Sequence, residues 1–219
     1  MKPISSWTGL VYPDEYLTRF FFKFGLSRLT GRVLELGCGV GNNLALFRAF
    51  DWTVVGMDND ALSLESAKAN LASDSDSECV LVYRDLEAEA ISAQGGFDSV
   101  LIPNLACYLS RDRFIQVLAE CKLLLNPGGS FFLKTRLVDD WRARRGPEVA
   151  RNSYVLSTDV TGEQGATMTL YDRDELVALV TEHIGSLVES AELRTSYENV
   201  QSGIVIDNHD LVIWGRSSR

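Results

Sequence analysis

The chain has 219 residues, 30 of them acidic and 21 basic, with a formal net charge of −9 and 46% hydrophobic residues. This length favours one domain, since single cores grow to ~200–250 residues before they split. The acidic balance disfavours a protein that binds by neutralising many phosphates, so a nucleic-acid partner is not expected.

Apolar runs and cysteine spacing narrow the class further. No run approaches the ~18–20 apolar residues of a membrane span, and the opening residues lack the pattern of a secretory signal, so no membrane partner is expected. The 4 cysteines are widely spaced and there are only 2 histidines. This composition predicts neither a metal site nor a disulfide framework, and it favours the cytoplasm.

Short β-rich apolar runs alternate with longer amphipathic stretches through most of the chain. The predicted elements are, in order, helix Asp14–Leu29, strand Arg32–Leu36, helix Asn42–Phe50, strand Thr53–Met57, helix Asp60–Ala72, strand Cys79–Tyr83, strand Phe97–Ile102, helix Arg111–Leu125 and strand Ser130–Thr135. Continuous apolar strands separated by helices are typical of a parallel sheet that is covered on both faces.

The last third of the chain has weaker patterning. Periodicity is absent after Thr135 until a reciprocal capping pattern at Asp172 and Glu175 predicts a helix over Asp172–Ile184. Two final strands are predicted, Ser186–Tyr197 and Leu211–Arg216, as an antiparallel pair. Turns are predicted from small and polar residues at Ser73–Glu78, Asn126–Gly129 and Asp207–Asp210.

The most informative string is VLELGCGVGNN, which runs from Val33 to Asn43. Glycine is needed where the backbone turns sharply and a ligand approaches the main chain closely. The spacing here is G-x-G-x-G, whereas a dinucleotide site uses G-x-G-x-x-G. Glu35, two residues before the first glycine, would be a poor neighbour for a diphosphate and a good partner for an ammonium. A ligand with an α-amino group and no phosphate therefore suits this loop.

These residues resemble the first motif of the class I S-adenosylmethionine-dependent methyltransferases, and the resemblance continues over residues 31–135. It implies that Asp58 holds the ribose hydroxyls, that Asp85 meets the adenine amino group with backbone from Leu86, and that Asn104 faces the methionine part. The cofactor-binding residues implied by the resemblance are Glu35, Gly37, Cys38, Gly39, Gly41, Asp58, Asn59, Asp85, Leu86 and Asn104. An alternative for Asp58 is the N-cap of the following helix, and for Cys38 a small residue that fills a tight loop.

The resemblance also implies the fold: a Rossmann-like, doubly wound, seven-stranded and mostly parallel sheet with an antiparallel C-terminal hairpin. The chain 1–219 is then a single methyltransferase domain. It comprises an N-terminal helical cap (1–30), a cofactor-binding core (31–135) and a segment that carries the acceptor site, a helix and the hairpin (136–219).

Acceptor and catalytic residues are less clearly indicated. Many small-molecule members have a histidine after the fourth strand, where this chain has Tyr108, which is the candidate catalytic group or else a packed aromatic. Tyr12 and Tyr16 could contact the acceptor or dock the first helix. Arg136 and Arg142 belong to a locally basic stretch, which either recognises an anionic acceptor or forms a solvated face.

The sequence predicts methyl transfer from S-adenosylmethionine to an oxygen or nitrogen of a small-molecule acceptor by in-line displacement. A non-catalytic subunit that binds or senses the cofactor is an alternative, as is a protein or RNA methyltransferase. A nicotinamide dehydrogenase is disfavoured by the glycine spacing. The sequence does not indicate an oligomeric state.

Overall fold

The computed structural model describes residues 7–72, 77–91, 93, 96–201 and 203–218. Its helices are α1 (Glu15–Lys23), α2 (Asn42–Arg48), α3 (Ala61–Asn70), α4 (Arg111–Leu124) and α5 (Arg173–His183). Its strands are β1 (Arg32–Leu36), β2 (Thr53–Asp58), β3 (Cys79–Tyr83), β4 (Phe97–Pro103), β5 (Leu125–Arg136), β6 (Glu148–Ala150), β7 (Ser153–Val155), β8 (Thr167–Thr169), β9 (Gly185–Asn199) and β10 (Ile204–Ser217).

The main sheet has seven strands in the order β3-β2-β1-β4-β5-β10-β9. Neighbours from β3 to β5 pair in parallel, and β10 pairs antiparallel with both β5 and β9. The predicted Rossmann-like sheet with its antiparallel C-terminal hairpin is confirmed. The strand order reverses between β1 and β4, which in such sheets opens a crevice beyond the carboxyl ends of the strands.

Side chains on the central strands alternate between two apolar layers. In β1, Leu34 and Leu36 pack with α4 and α5, whereas Val33 packs with α1 and α2. The second layer is rich in aromatic rings. For example, the rings of Phe21 and Phe47 meet edge to face with their centroids 4.8 Å apart. Burial on both faces explains why most residues of these strands are apolar.

Helix α1 begins where the sequence predicts and ends earlier. Asp14 is its N-cap, because one carboxylate oxygen accepts hydrogen bonds from the N–H groups of Tyr16 and Leu17. The helix ends at Lys23 rather than Leu29, since Gly25 adopts a left-handed conformation with φ +71°. A short 3₁₀ turn, Leu26–Arg28, follows.

The C-terminal third contains two features that the sequence did not predict. Residues 148–169 form a small three-stranded antiparallel sheet, β6-β7-β8, in a segment without periodicity. The predicted turn at Asp207–Asp210 is wrong, because these residues lie inside β10. Their polar groups find partners across the structure: the carboxylate of Asp210 accepts from Arg136, and the imidazole of His209 contacts Glu192.

The other turn predictions have different outcomes. The segment Ser73–Glu78 lies largely outside the described residues. Asn126–Gly129 forms the beginning of β5, with Gly128 at φ +71° and an irregular register opposite Phe97 and Ser99. None of the helices described is long and apolar enough to cross a membrane. Within the described ranges, no group of three or more His, Cys, Asp or Glu side chains could hold a metal ion.

Candidate active site

A cleft of about 1170 Å³ lies beyond the carboxyl ends of β1, β2, β3 and β4. Part of its lining comes from the segment Gly9–Asp14, which lies against the glycine loop at Val40 and accepts a hydrogen bond from Nδ2 of Asn42 at the carbonyl oxygen of Tyr12. Asn70 fixes this segment by accepting from the N–H of Thr8 and donating to the carbonyl oxygens of Thr8 and Val40. The cleft therefore combines the loop ends of the sheet with the residues that precede α1.

The glycine loop turns sharply between β1 and α2. Gly37, Gly39 and Gly41 all have positive φ, of +70°, +50° and +82°. A Cβ on Gly39 would meet no atom within 4 Å, whereas one on Gly41 would lie 2.9 Å from Cδ1 of Leu71. Gly39 thus leaves open space beside the backbone at the cleft, and Gly41 permits close packing of the loop on α3.

The side chain of Glu35 is buried, and 1% of the residue's surface is exposed. Its Oε1 accepts a 2.7 Å hydrogen bond from Nδ2 of Asn43, while its buried Oε2 has no partner. Burial raises the pKa of Glu35 to about 8, helped by the nearby charge of Asp58 and opposed by the Asn43 hydrogen bond. A cationic donor in the cleft would satisfy Oε2 and favour the ionised carboxylate.

Asp58, the last residue of β2, accepts a hydrogen bond from the glycine loop. Its Oδ2 accepts from the N–H of Gly39 at 2.8 Å, and its Oδ1 accepts from the N–H of Asp60 at 2.9 Å. The N-cap of α3 is Asp60, not Asp58, since Asp60 accepts from the N–H of Leu62. Asp58 and Asn59 both line the cleft, and each carboxylate oxygen of Asp58 keeps a further lone pair for a ligand.

Asp85 and Leu86 follow β3 at the far end of the cleft. Asp85 is half-buried, and its Oδ1 accepts from the N–H of Glu87 at 3.1 Å. Leu86 is buried, and its carbonyl oxygen accepts a 2.6 Å hydrogen bond from Nε of Arg113. Arg113 is not indicated as a buried residue by the sequence, because a charged residue in the first turn of an amphipathic helix gives no sign that it is buried.

Asn104 follows β4 with φ +56°. Its N–H donates to the carbonyl oxygen of Lys134 at 2.8 Å, and its buried Oδ1 has no partner. Asn104 and Glu35 thus both line the cleft, and each carries one buried acceptor without a donor. Such atoms are costly to leave unsatisfied, so together they fit a ligand that brings hydrogen-bond donors.

Tyr108 lies at the border of the cleft, in the short 3₁₀ turn Ala106–Tyr108. Its hydroxyl donates a 2.6 Å hydrogen bond to Oε1 of Glu163. Burial and the neighbouring acidic groups raise the pKa of Tyr108 above its ordinary value, which keeps the hydroxyl protonated. Glu163 lines the same cleft and was not identified from the sequence, since it lies in a segment without periodicity.

The two arginines proposed for the acceptor are paired inside the protein. Nη1 of Arg136 donates to Asp210 at 2.7 Å. Arg142 is 5% exposed, and it donates to Glu163 at 2.6 Å and to Asp140 at 3.1 Å. Their guanidinium groups therefore join carboxylates of the protein rather than line the cleft.

Of the two candidate tyrosines near the N-terminus, one lines the cleft and the other does not. Tyr12 is 71% exposed and lines the cleft, while Tyr16 packs against the aromatic layer under the cation of Arg19. Cys38 is buried in the loop, and this burial raises its thiol pKa above the ordinary value. Its environment is that of an unreactive, space-filling cysteine.

Residues 33–129 match a family model that is described as a methyltransferase domain. A search of curated protein sequences gives no significant match to the chain. Among solved structures, an S-adenosylmethionine-dependent methyltransferase from Methanosarcina mazei is similar with a TM-score of 0.67 at 16% identity, over 86% of this chain and 92% of that chain.

Two further structures carry more specific names. The 1,6-didemethyltoxoflavin-N1-methyltransferase of Burkholderia thailandensis, bound to 1,6-didemethyltoxoflavin and S-adenosylhomocysteine, gives a TM-score of 0.66 at 19% identity, covering 93% of this chain and 76% of that chain. The N-methyltransferase NodS of Bradyrhizobium japonicum, in complex with S-adenosylhomocysteine, gives 0.60 at 16% identity, covering 94% and 87%. Residues 33–129 therefore match a methyltransferase domain, and the chain shares the fold of the S-adenosylmethionine-dependent methyltransferase from Methanosarcina mazei.

Proposed function

We propose that this methyltransferase acts on a nitrogen or oxygen atom of a small-molecule acceptor. When bound, S-adenosylmethionine supplies the electrophilic methyl group. The observation that supports its placement is the pair of buried, unpartnered acceptors in the cleft, Oε2 of Glu35 and Oδ1 of Asn104. We assign the ammonium of the methionine part to Glu35, with Asn104 beside it.

The remaining cofactor residues follow the shape of the cleft. Asp58 is held by two backbone N–H groups at the end of β2, which suits recognition of the ribose hydroxyls, with Asn59 next to it. Asp85 and the backbone of Leu86 lie beyond β3 and are assigned to the adenine. The open space beside Gly39 allows a ligand to approach the main chain closely.

The cleft has room for an acceptor beside the cofactor. Its volume of about 1170 Å³ exceeds the ~300–1,000 Å³ of an ordinary ligand pocket. Beyond the cofactor residues, the wall includes Leu10, Tyr12, Tyr108 and Glu163. This mixture of exposed apolar side chains with a few polar groups suits a small organic molecule better than a polyanionic nucleic acid.

An anionic acceptor finds little support in the structure. Arg136 and Arg142 are paired with carboxylates, and Lys134 donates to Asp14. Among the described residues that line the cleft, the cation is Arg84, which pairs with Glu89. We therefore favour an uncharged or cationic acceptor, and nitrogen acceptors are the first to test, because two structural neighbours are named as N-methyltransferases.

The protein contributes orientation and exclusion of water more than strong base catalysis. An acceptor needs an unprotonated lone pair, and Tyr108 is a poor base because its hydroxyl stays protonated and donates to Glu163. We propose that Tyr108 borders and orients the acceptor. Correct alignment of the reacting atoms can supply much of the rate acceleration.

The test combines binding with turnover. Calorimetry should show binding of S-adenosylmethionine and S-adenosylhomocysteine but not of NAD, and a panel of primary amines, phenols and carboxylates should be screened with radiolabelled methyl donor. Transfer to an amine or phenol supports the proposal. Binding of the cofactor with no transfer to any small molecule would favour the sensor subunit, and labelling of protein or RNA would replace the acceptor class.

We also propose that the protein resides in the cytoplasm. All four cysteines are free, and Cys38, Cys107 and Cys121 are buried. Free thiols are typical of a reducing compartment, which supports the cytoplasm.

A further inference from the structure

Arg113 is a buried cation in the first turn of α4, with 7% of its surface exposed. Nε donates to the carbonyl oxygen of Leu86 at 2.6 Å, and Nη2 donates to the carbonyl oxygen of Glu89 at 2.8 Å. Both acceptors belong to the segment that follows β3. The guanidinium thus bridges α4 to the loop at the far end of the cleft.

Glu120, two turns later on α4, completes the arrangement. Its Oε1 accepts from Nη1 of Arg113 at 2.7 Å, and its Oε2 accepts from the N–H of Ile91 at 2.8 Å. Although burial opposes it, these hydrogen bonds lower the pKa of Glu120 and keep it ionised. The ion pair therefore fixes backbone groups of Leu86, Glu89 and Ile91.

The segment 84–91 contains no helix or strand, and its own backbone hydrogen bonds are those of a single turn, in which the N–H groups of Ala88 and Glu89 donate to the carbonyl oxygen of Asp85. Burying a guanidinium is costly unless its donors are satisfied, and a leucine could fill the same space. Unlike a leucine, the forked guanidinium fixes the positions of the two carbonyl groups to which it donates. One of them belongs to Leu86, which directly follows Asp85.

We propose that Arg113 is a positioning residue for recognition of the adenine ring. By holding the backbone of Leu86, it fixes the height and orientation of Asp85 and Leu86 at the cleft, and Glu120 holds Arg113 in place. This inference rests on the proposed function, since it assumes that Asp85 and Leu86 meet the adenine. It adds a residue that does not itself touch the cofactor.

The test separates the base from the rest of the cofactor. Affinities are measured by calorimetry for S-adenosylhomocysteine and for S-inosylhomocysteine, in which oxygen replaces the 6-amino group of the base. Arg113→Lys keeps the charge beside Glu120 but loses the fork, so it should weaken S-adenosylhomocysteine more than 10-fold. It should also reduce the ratio between the two affinities.

Two other variants give matched controls. Arg173→Lys makes the same change at the first position of α5, where the side chain is half exposed, and should change neither affinity. Asp58→Ala should weaken both ligands by the same factor, because both carry the ribose. A folded Arg113→Lys protein with an unchanged affinity ratio would overturn the role of Arg113.

The outcomes also distinguish this inference from the proposed function. Failure of the unmodified protein to bind S-adenosylhomocysteine would remove the proposed function itself. Normal binding that is sensitive to Asp58→Ala but not to Arg113→Lys would remove only the positioning role. If Arg113→Lys fails to fold by circular dichroism, Glu120→Gln provides the same comparison, since it weakens the hold on Arg113 and should lower the ratio in the same direction.

Discussion

Glu35 carries its carboxyl group in a setting that penalises negative charge. It lies on a strand at the centre of the sheet, it is enclosed by the protein, and its partner Asn43 satisfies only one of its two oxygens. The raised pKa of about 8 means that the folded protein holds a proton that the unfolded chain releases at much lower pH. Oε2 of Glu35 is buried without a hydrogen-bond partner in the free protein, which is unfavourable for the ionised carboxylate. The same oxygen is well placed to accept from a cationic ligand.

This arrangement predicts a pH-dependent contribution to stability. Between pH 4.5 and about 8 the folded state binds more protons at Glu35 than the unfolded state, so this contribution falls as the pH rises. Glu35→Gln should remove it. In urea unfolding of the ligand-free protein, the stability of the natural chain relative to the variant should fall by about 2 kcal/mol or more from pH 5 to pH 8. Parallel pH profiles would contradict this assignment.

Asp58 supports the glycine loop and is available to a ligand at the same time. Replacing it with alanine should weaken S-adenosylhomocysteine binding by ~1–3 kcal/mol, because the ribose hydroxyls lose their acceptor. Calorimetry measures the change, and Asp174→Ala is the control, since its side chain is 89% exposed in the first turn of α5. Equal affinity of the Asp58→Ala and natural proteins would remove Asp58 from the site.

At the scale of elements, the connection from β1 to α2 depends on glycine for two separate reasons. Gly39 borders the open cleft. Gly41 is the N-cap of α2 and lies against Leu71 at the end of α3. The first position concerns ligand access and the second concerns packing. Loss of either glycine also forces a side chain into a positive φ, which is unfavourable for L-residues.

The packing role can be tested with a pair of glycines. Gly41→Ala should destabilise the fold by about 2–3 kcal/mol, because a Cβ would meet Leu71 at 2.9 Å in addition to the backbone strain. Gly25→Ala has a similar φ of +71° with no atom within 4 Å, and should cost only about 1 kcal/mol. Urea unfolding compares the two. Equal losses would mean that backbone strain alone matters.

At the scale of the whole molecule, a chain of charges joins the C-terminal third to the cleft. Asp140 is 2% exposed and accepts from the N–H of His209 in β10 and from the side chain of Arg142. Arg142 in turn holds Glu163, which holds Tyr108. The part of the cleft that we assign to the acceptor is therefore attached to β10, in the antiparallel part of the sheet. We propose that the domain comprises a helical cap (1–30), a cofactor-binding core (31–135) and a segment that carries the acceptor site (136–219).

Breaking this chain should destabilise the protein. Arg142→Met leaves the carboxylate of Asp140 buried with less compensation, and should lower the free energy of unfolding by about 3 kcal/mol, while S-adenosylhomocysteine affinity in the folded protein stays unchanged. Arg144→Met, at an exposed neighbouring position, should change stability by less than ~0.5 kcal/mol. Loss of acceptor turnover with no loss of stability would instead support direct contact between Arg142 and the acceptor.

The sequence indicated most of the parallel sheet, because its strands are buried on both faces and leave continuous apolar runs between amphipathic helices. Strands β1 and β3 have the predicted bounds. The resemblance to the methyltransferase family implied Asp58, Asp85 and Asn104 as site residues. These three and Glu35 line one cleft, since residues at the carboxyl ends of neighbouring parallel strands come together at one edge.

Tertiary structure alone decided the small sheet β6-β7-β8, the strand over Asp207–Asp210 and the surroundings of the site. The strand over Asp207–Asp210 forms because distant charges satisfy residues that otherwise favour a turn. Arg113, Arg142 and Glu163 are polar side chains whose roles depend on partners far away in sequence. Local patterns record which face of an element is apolar, but the partner of a buried charge is set only when separate segments meet in the folded chain.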